Sequence, residues 1–414
     1  MATLEPTGTS STTNPFRGIA RITTTAAPPS PAAAGWRERL DIESFAPDHD
    51  SDLAARFVEA GARIQGETPG RIIASRTTTA HRISPDFAFY SYGIARHFVA
   101  SQNGVDVARC SAIINSHAVE DGEQVGYVGM WECIDDEQVA HRLIDAAVAE
   151  LVGKGCTRIV GPMDFSTWYN YRFCLGPFDG NPIMLEPYTP EHYDAHWRSY
   201  GFTVRLTYLT TVLNSIPDGL NMPGSSRFDT ALAEGYTFVH LRMNMFESVL
   251  KTLYRESTLA FANAPNYTPI ERDEFLALYD DAPRMIDPRL VWFALAPDGS
   301  VAGFAFAVPD HARAARALAG RSSLRAKLAA LWQMQKADGV LLKTLMVNPD
   351  HRGHGLSPAL NERVLRAAMD LGYKRVHHVL MHEKNDSLTY SRRSSATFAR
   401  RYAVYELPLG GDAE

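Results

Sequence analysis

The chain has 414 residues, 45% hydrophobic and 21% charged, which is the make-up of a globular protein long enough for two domains. A formal net charge of -6 argues against a nucleic-acid binder, which would carry a basic excess. No run of about 18 apolar residues occurs, so no transmembrane helix is expected. The four cysteines, Cys110, Cys133, Cys156 and Cys174, have no CxxC spacing, fit a reducing, cytoplasmic setting and offer no zinc site.

Residues 1–36 are rich in Ser, Thr, Ala and Pro and lack the apolar stretch of a signal peptide, so a disordered tail is expected there. Beyond it, "RHFVASQ" and "VDVARCSAII" flank Asn-Gly, a hairpin signal, and "VGYVGMWEC" reads as a third strand. "DDEQVAHRLIDAAVAELVGKG" then sets Val139, Leu143, Ala147 and Leu151 on one helical face, between acidic residues and glycines. "TRIVGPM" and "TVRLTYLTTVL" follow as strands. The linker 214–229, "NSIPDGLNMPGSSRFD", carries the Pro, Gly and Ser of a boundary.

The same order then recurs. "LVWFALA" and "VAGFAFAVP" form a second hairpin around "PDGS", and "LLKTLMV" leads through "NPDHRGHGLSPAL" into a helix. Its face carries Leu356, Leu360, Val364, Ala368 and Leu371, and "RVHHVLMH" and "FARRYAVYEL" close the half. The plan divides the chain into a tail (1–36), a first half (37–222) and a second half (223–414).

The strand-to-helix loop of the second half is the clearest candidate site. A helix start offers free N–H groups and the positive end of the dipole, which favour an anion. Gly353 and Gly355 keep side chains away from approaching phosphate oxygens, Arg352 adds a permanent charge, and Pro358 suits a first turn. At the corresponding place in the first half, "WECIDDEQVA" has Asp135, Asp136 and Glu137 instead. Carboxylates there satisfy the helix start and repel phosphate, so one anion site per chain is expected.

"VNPDHRGHGLS" resembles the signature of the GNAT superfamily of acyl-CoA N-acyltransferases: Arg or Gln, two residues, Gly, one residue, then Gly or Ala. Only Ser357 departs, and it too is small. The resemblance implies an α/β fold of tandem GNAT-like domains, each a mixed, largely antiparallel sheet flanked by helices. It implies acyl-CoA as co-substrate, held by Arg352, Gly353, His354, Gly355, Leu356 and Ser357. Backbone N–H groups of Leu345 and Val347 would orient the thioester, with Asn385 near the pantetheine arm and Tyr390 protonating the departing thiolate. His382 or Glu383, at the end of "RVHHVLMHE", would act as base. His378 and His382 stand too far apart along a strand to share an ion and His377 points away, so no metal is expected.

A narrower resemblance, to long bacterial GNAT-like proteins, runs through "GMWECIDDEQVAHRLIDAA", "GPMDFST", "EPYTPEHYDAHWRSYGF" and "DPRLVWFALAPDGSVAGFAFAVPD". The stretch "WYNYRFCLGPFDGNPIML" departs from that group. Its Trp168, Tyr169, Tyr171 and Phe173 read as core packing or as a ligand lining. The implied reaction is acyl transfer from acyl-CoA to a primary amine of a small molecule or lipid-like acceptor. Two alternatives stay open: an acyl carrier protein as donor, with a sphingoid-type amine as one acceptor, and a non-catalytic thioester-binding protein.

Overall fold

The computed structural model of the protein describes residues 40–48, 51–221, 227–262, 264, 266–280, 282–321, 323–384, 388 and 395–409. The tail 1–36 and two of the expected site residues, Asn385 and Tyr390, lie outside these. In the first half the elements are β1 (Leu40–Phe45), α1 (Ser51–Glu67), α2 (Arg76–Arg82), β2 (Gly93–Gln102), β3 (Val105–Glu120), β4 (Glu123–Cys133), α3 (Glu137–Gly153), β5 (Arg158–Gly161), β6 (Phe173–Cys174), α4 (His192–Tyr200) and β7 (Thr203–Leu213). The second half begins with α5 (Ile216–Leu220), α6 (Phe228–Ala233), β8 (Thr237–His240), α7 (Phe246–Phe261), α8 (Arg272–Ala277), β9 (Val291–Leu295) and β10 (Val301–Pro309). It continues through α9 (Ala312–Leu318), α10 (Leu324–Met334), β11 (Gly339–Val347), α11 (Leu356–Asp370), β12 (Arg375–His382) and β13 (Thr397–Pro408).

Local sequence accounts for most of this. Asn103 and Gly104 take φ of 53° and 78°, the left-handed pair that matches a two-residue turn to strand twist, and β2 and β3 pair around them. Val139, Leu143, Ala147 and Leu151 are buried on α3, and Leu356, Leu360, Val364 and Ala368 on α11. Each buried leucine or valine contributes about 1.5–3 kcal/mol, enough to hold these helices against their halves of the sheet. The linker is less loose than its composition suggests. Pro217 near the start of α5 supplies a preset φ, and Ile216 is fully buried, so the segment forms a helical turn pinned to the core of the second half.

The strands form one 13-stranded sheet, ordered β1-β2-β3-β4-β5-β13-β7-β12-β11-β10-β9-β8, with β6 paired to β13 off this path. The central crossing is its main feature. β13, the last strand among the described residues, lies against β5 of the first half, with Tyr405 opposite Gly161. β7, the last strand of the first half, lies against β12 of the second, with Val212 opposite His377. β7 and β13 pair antiparallel with each other. The final strands have thus changed places, and the two halves share a continuous hydrogen-bonded middle.

Buried polar contacts reinforce the junction. The Glu274 carboxylate, on α8, accepts hydrogen bonds from the hydroxyls of Tyr92 and Tyr169 at 2.6 and 2.5 Å. Burial raises the pKa of all three groups.

Candidate functional site

Parallel pairing of β11 with β12 covers only Gly339–Leu342 against Arg375–His378. Beyond it the strands part. On its other side β11 stays paired with β10, but the register skips at Lys343, since Phe306 faces Thr344 and Ala307 faces Leu342. Such a bulge bends the strand away from its neighbour. Into the resulting gap opens a cleft of about 1830 Å³, lined by Lys343–Val347 on one side and His378–His382 on the other.

The loop after β11 closes one end. Gly353 and Gly355 both take left-handed φ, 89° and 72°. Gly355 is the N-cap of the 15-residue α11 and provides no side-chain cap, and among the described residues no carboxylate is seen to cap its first-turn N–H groups. A Cβ at Gly355 would come within 2.9 Å of the Arg227 Cβ. Arg352, Gly353, Gly355, Leu356 and Ser357 all line the cleft, as do Leu345 and Val347. His354 does not. Its Nδ1 lies 2.6 Å from a Glu234 carboxylate oxygen, which ties the loop to the turn after α6.

The charges around the cleft have one sign. Arg82, Arg172, Arg227, Lys343 and Arg352 line it, and among the described residues no Asp or Glu does, in a chain whose net charge is -6. Away from the loop the lining turns apolar. α7 presents Phe246, Val249, Leu250, Leu253 and Phe261 to it, and Phe275, Phe304 and Phe306 face the same space. Of the aromatic run, Trp168, Tyr169 and Tyr171 line the cleft, whereas Phe173 packs in the core against Trp197 and Tyr193.

Among the expected acid–base residues, His382 reaches the cleft, its ring 5.4 Å from that of Tyr208. Desolvation, helped by Lys384, holds its pKa below the ordinary value, so the imidazole is neutral and able to accept a proton at neutral pH. Glu383 sits on the exposed turn beyond β12, where its N–H donates to Thr207 O, and is not part of the lining. His377 and His378 are buried within β12, and desolvation lowers both to about 4.

Several groups at or behind the cleft carry little signal in the local sequence. Arg227 lies inside what reads as linker, with only its charge to signal it. Arg172 projects into the cleft with its guanidinium 3.3 Å from the Tyr171 ring centroid and 3.9 Å from that of Tyr208. Behind it, the Glu186 carboxylate accepts hydrogen bonds from Thr210 and Tyr402, and burial pushes its pKa up to about 7. The folded state therefore holds a proton on Glu186 that the unfolded chain releases at about 4.5, and stability from this group is lost as pH rises through that window. Glu186→Gln should match the parent at the acid end and exceed it by roughly 3 kcal/mol above pH 7. Denaturant melts across the window check this, and a constant difference between the two proteins would contradict it.

The matching place in the first half is occupied by the chain itself. β4 pairs in parallel with β5 only over Val125–Tyr127, but beyond this Met163 N–H donates to Val128 O, and Met130 N–H to the Asp164 carboxylate at 2.6 Å. A Cβ at Gly129 would lie 2.1 Å from Met163 O, so glycine is what allows the close approach. The start of α3 is capped by Asp136, whose carboxylate accepts from the N–H groups of Gln138 and Val139. Nearby, His192 Nδ1 and His196 Nε2 lie 3.9 and 3.3 Å from Asp135 Oδ1, a donor set of the type divalent metals take. These are not the histidines that the sequence drew into a metal reading, and they stand apart from the cleft lining.

The profile of the acetyltransferase (GNAT) family matches residues 251–388, the segment that holds the splayed strands and the glycine loop. The second half thus contains a segment that matches the GNAT acyltransferases. The chain is 25% identical over 368 residues to a bacterial ceramide synthase of Caulobacter vibrioides, covering 86% of this chain and 94% of that protein. It is 22% identical over 252 residues to Protein YghO of Escherichia coli, covering 61% of this chain and 60% of that one. Its fold is that of tandem GNAT proteins. A tandem GNAT protein from the clavulanic acid biosynthesis pathway superposes with a TM-score of 0.51 at 12% identity, covering 91% of this chain and 100% of that chain.

Proposed function

We propose that the protein transfers an acyl group from acyl-CoA to the primary amine of a lipid-like acceptor. The observation that carries this is the lining of the cleft. An uncapped helix start among cations suits phosphate, and the apolar chamber beyond suits an acyl chain. Its volume of about 1830 Å³ exceeds the roughly 300–1,000 Å³ of ordinary small-molecule pockets, which leaves space for two extended substrates. The similarity to a bacterial ceramide synthase supports an amine acceptor with long hydrocarbon chains.

In this reading, residues 352–357 hold the phosphates, and the free edge of β11 around Leu345 and Val347 positions the thioester. His382 takes a proton from the amine as its nitrogen bonds to the carbonyl carbon. The carbon–sulfur bond then breaks, and Tyr390 gives its proton to the departing thiolate. The halves divide near 222/223, and only the second takes the donor. The first half contributes Arg82, Trp168–Arg172 and Tyr208 to the wall around the acceptor.

The test is turnover of the purified chain with acyl-CoA donors of graded length against sphingoid-type and short amines, products being read by mass spectrometry. Rates should rise with chain length for both partners. No amide with any pair would sink the transferase reading. Amide only when acyl carrier protein is the donor would transfer the reading to that alternative.

A further inference from the structure

α9 and α10 form a helical insertion between β10 and β11, and its surface is built differently from the rest of the chain. Between Asp310 and Asp338 the sequence has Arg313, Arg316, Arg321, Arg325, Lys327 and Lys336 and no carboxylate, in a protein of net charge -6. No ion pair with any of the six occurs among the described residues.

α10 turns its large apolar residues outward. Leu324, Leu328, Leu331 and Trp332 are 72%, 57%, 57% and 58% exposed, while the buried position of this helix is Ala330. At ~100° per residue the four outward side chains fall within an arc of about 100°, and Ala330 lies on the opposite face. Arg325 and Lys327 flank the stripe, one on each side. The Lys336 ammonium lies 3.1 Å from the centroid of the Trp332 ring, so the indole is bordered by charge as well. Ordinary surface helices place leucine inward and cations outward. Here the leucines and the cations share the outer face.

An apolar stripe between basic rows matches one solvent: the boundary between lipid headgroups and acyl chains. There Leu and Trp enter the hydrocarbon edge, and Lys and Arg extend to anionic phosphates. The insertion is braced for such contact. Ala312 and Ala314 are buried on α9, and a Cβ at Gly320 would come within 2.9 Å of Ala74 O, so the α9–α10 connection presses against the first half.

We propose that α10 docks the protein on an anionic membrane surface, lying along it without crossing it. This rests on the surface of α10 and not on the reading of the cleft. Loss of vesicle binding and loss of turnover are therefore separable results.

The full chain is sedimented with vesicles of phosphatidylcholine alone and with about one-third phosphatidylglycerol. Binding should be at least about tenfold stronger to the anionic vesicles at low salt, and should weaken as salt screens the basic rows. Leu328→Glu with Trp332→Glu should lower that binding by about tenfold or more at unchanged melting temperature, since both positions are solvent-exposed. Failure of the parent to bind, equal binding to neutral vesicles, or unchanged binding by the double variant would each overturn the proposal. A parent dimer that the double variant splits, without vesicle binding, would instead assign the stripe to a second copy of this chain.

Discussion

Replacing His382 with glutamine is expected to slow acyl transfer by about 10²–10⁴-fold while coenzyme A affinity stays within about twofold of the parent. The side chain stands at the end of β12, where the strand has parted from β11 but still pairs with β7; it faces the cleft and is held neutral by desolvation. Glutamine keeps a polar group of similar reach but cannot accept the amine proton at neutral pH. The parent's kcat should fall on the acid side of its profile below the ordinary histidine value, and that limb should vanish in the variant. If the limb persists unchanged in His382→Gln, another group is the base. Tyr390→Phe is the companion measurement for the leaving thiolate. It should retain binding and lose chemistry on the order of 10²-fold.

The glycine loop after β11 should respond as strongly, but in binding. Arg352→Glu sets a negative charge on the one-signed lining of the cleft, and Gly355→Val forces a branched side chain into a φ of 72° beside Arg227. Each should weaken coenzyme A by roughly 2 kcal/mol, about 30-fold, and the pair by about 10³-fold if the effects add. Titration calorimetry on the parent should give one coenzyme A per chain, because Met163 and Asp164 cover the corresponding strand edge in the first half and Asp136 caps its helix. Two equal sites, or a double variant that binds like the parent, would contradict the assignment.

Local chemistry was legible in the sequence; spatial neighbourhood was not. The loop from Asn348 to Pro358 could be read because glycine, arginine, a preceding strand and a following helix each have their own mechanism. Asp136 as a helix cap was legible for the same reason. Glu186 and Arg227 were not, since each meets partners far away in the chain, and neither was Arg172, whose cage is completed by Tyr208. Glu186 meets Thr210 and Tyr402, and Arg227 meets Gly355. Periodicity also located α3 and α11 well, because both bury their apolar face. No local pattern reveals that β7 and β13 exchange sheets, since a strand's alternation says which face is buried but not which strand lies beside it.

That exchange sets the order in which the protein can be made. During synthesis the first half emerges with α1 and the β2–β3–β4 meander ready to assemble, yet the strand that completes its sheet beside β5 is residues 397–408. Until those residues leave the ribosome, Gly161 and its neighbours present an open edge, and β7 has neither of its final partners. A nascent chain halted after β7 is thus an unfinished sheet, and a chain cut before residue 397 loses a strand of the first half's sheet as well as of the second's. Neither half of the sheet is complete without a strand of the other. The bare edges of a shortened chain are templates for pairing with other chains, so truncation at either end should lead to aggregation rather than to a free-standing domain.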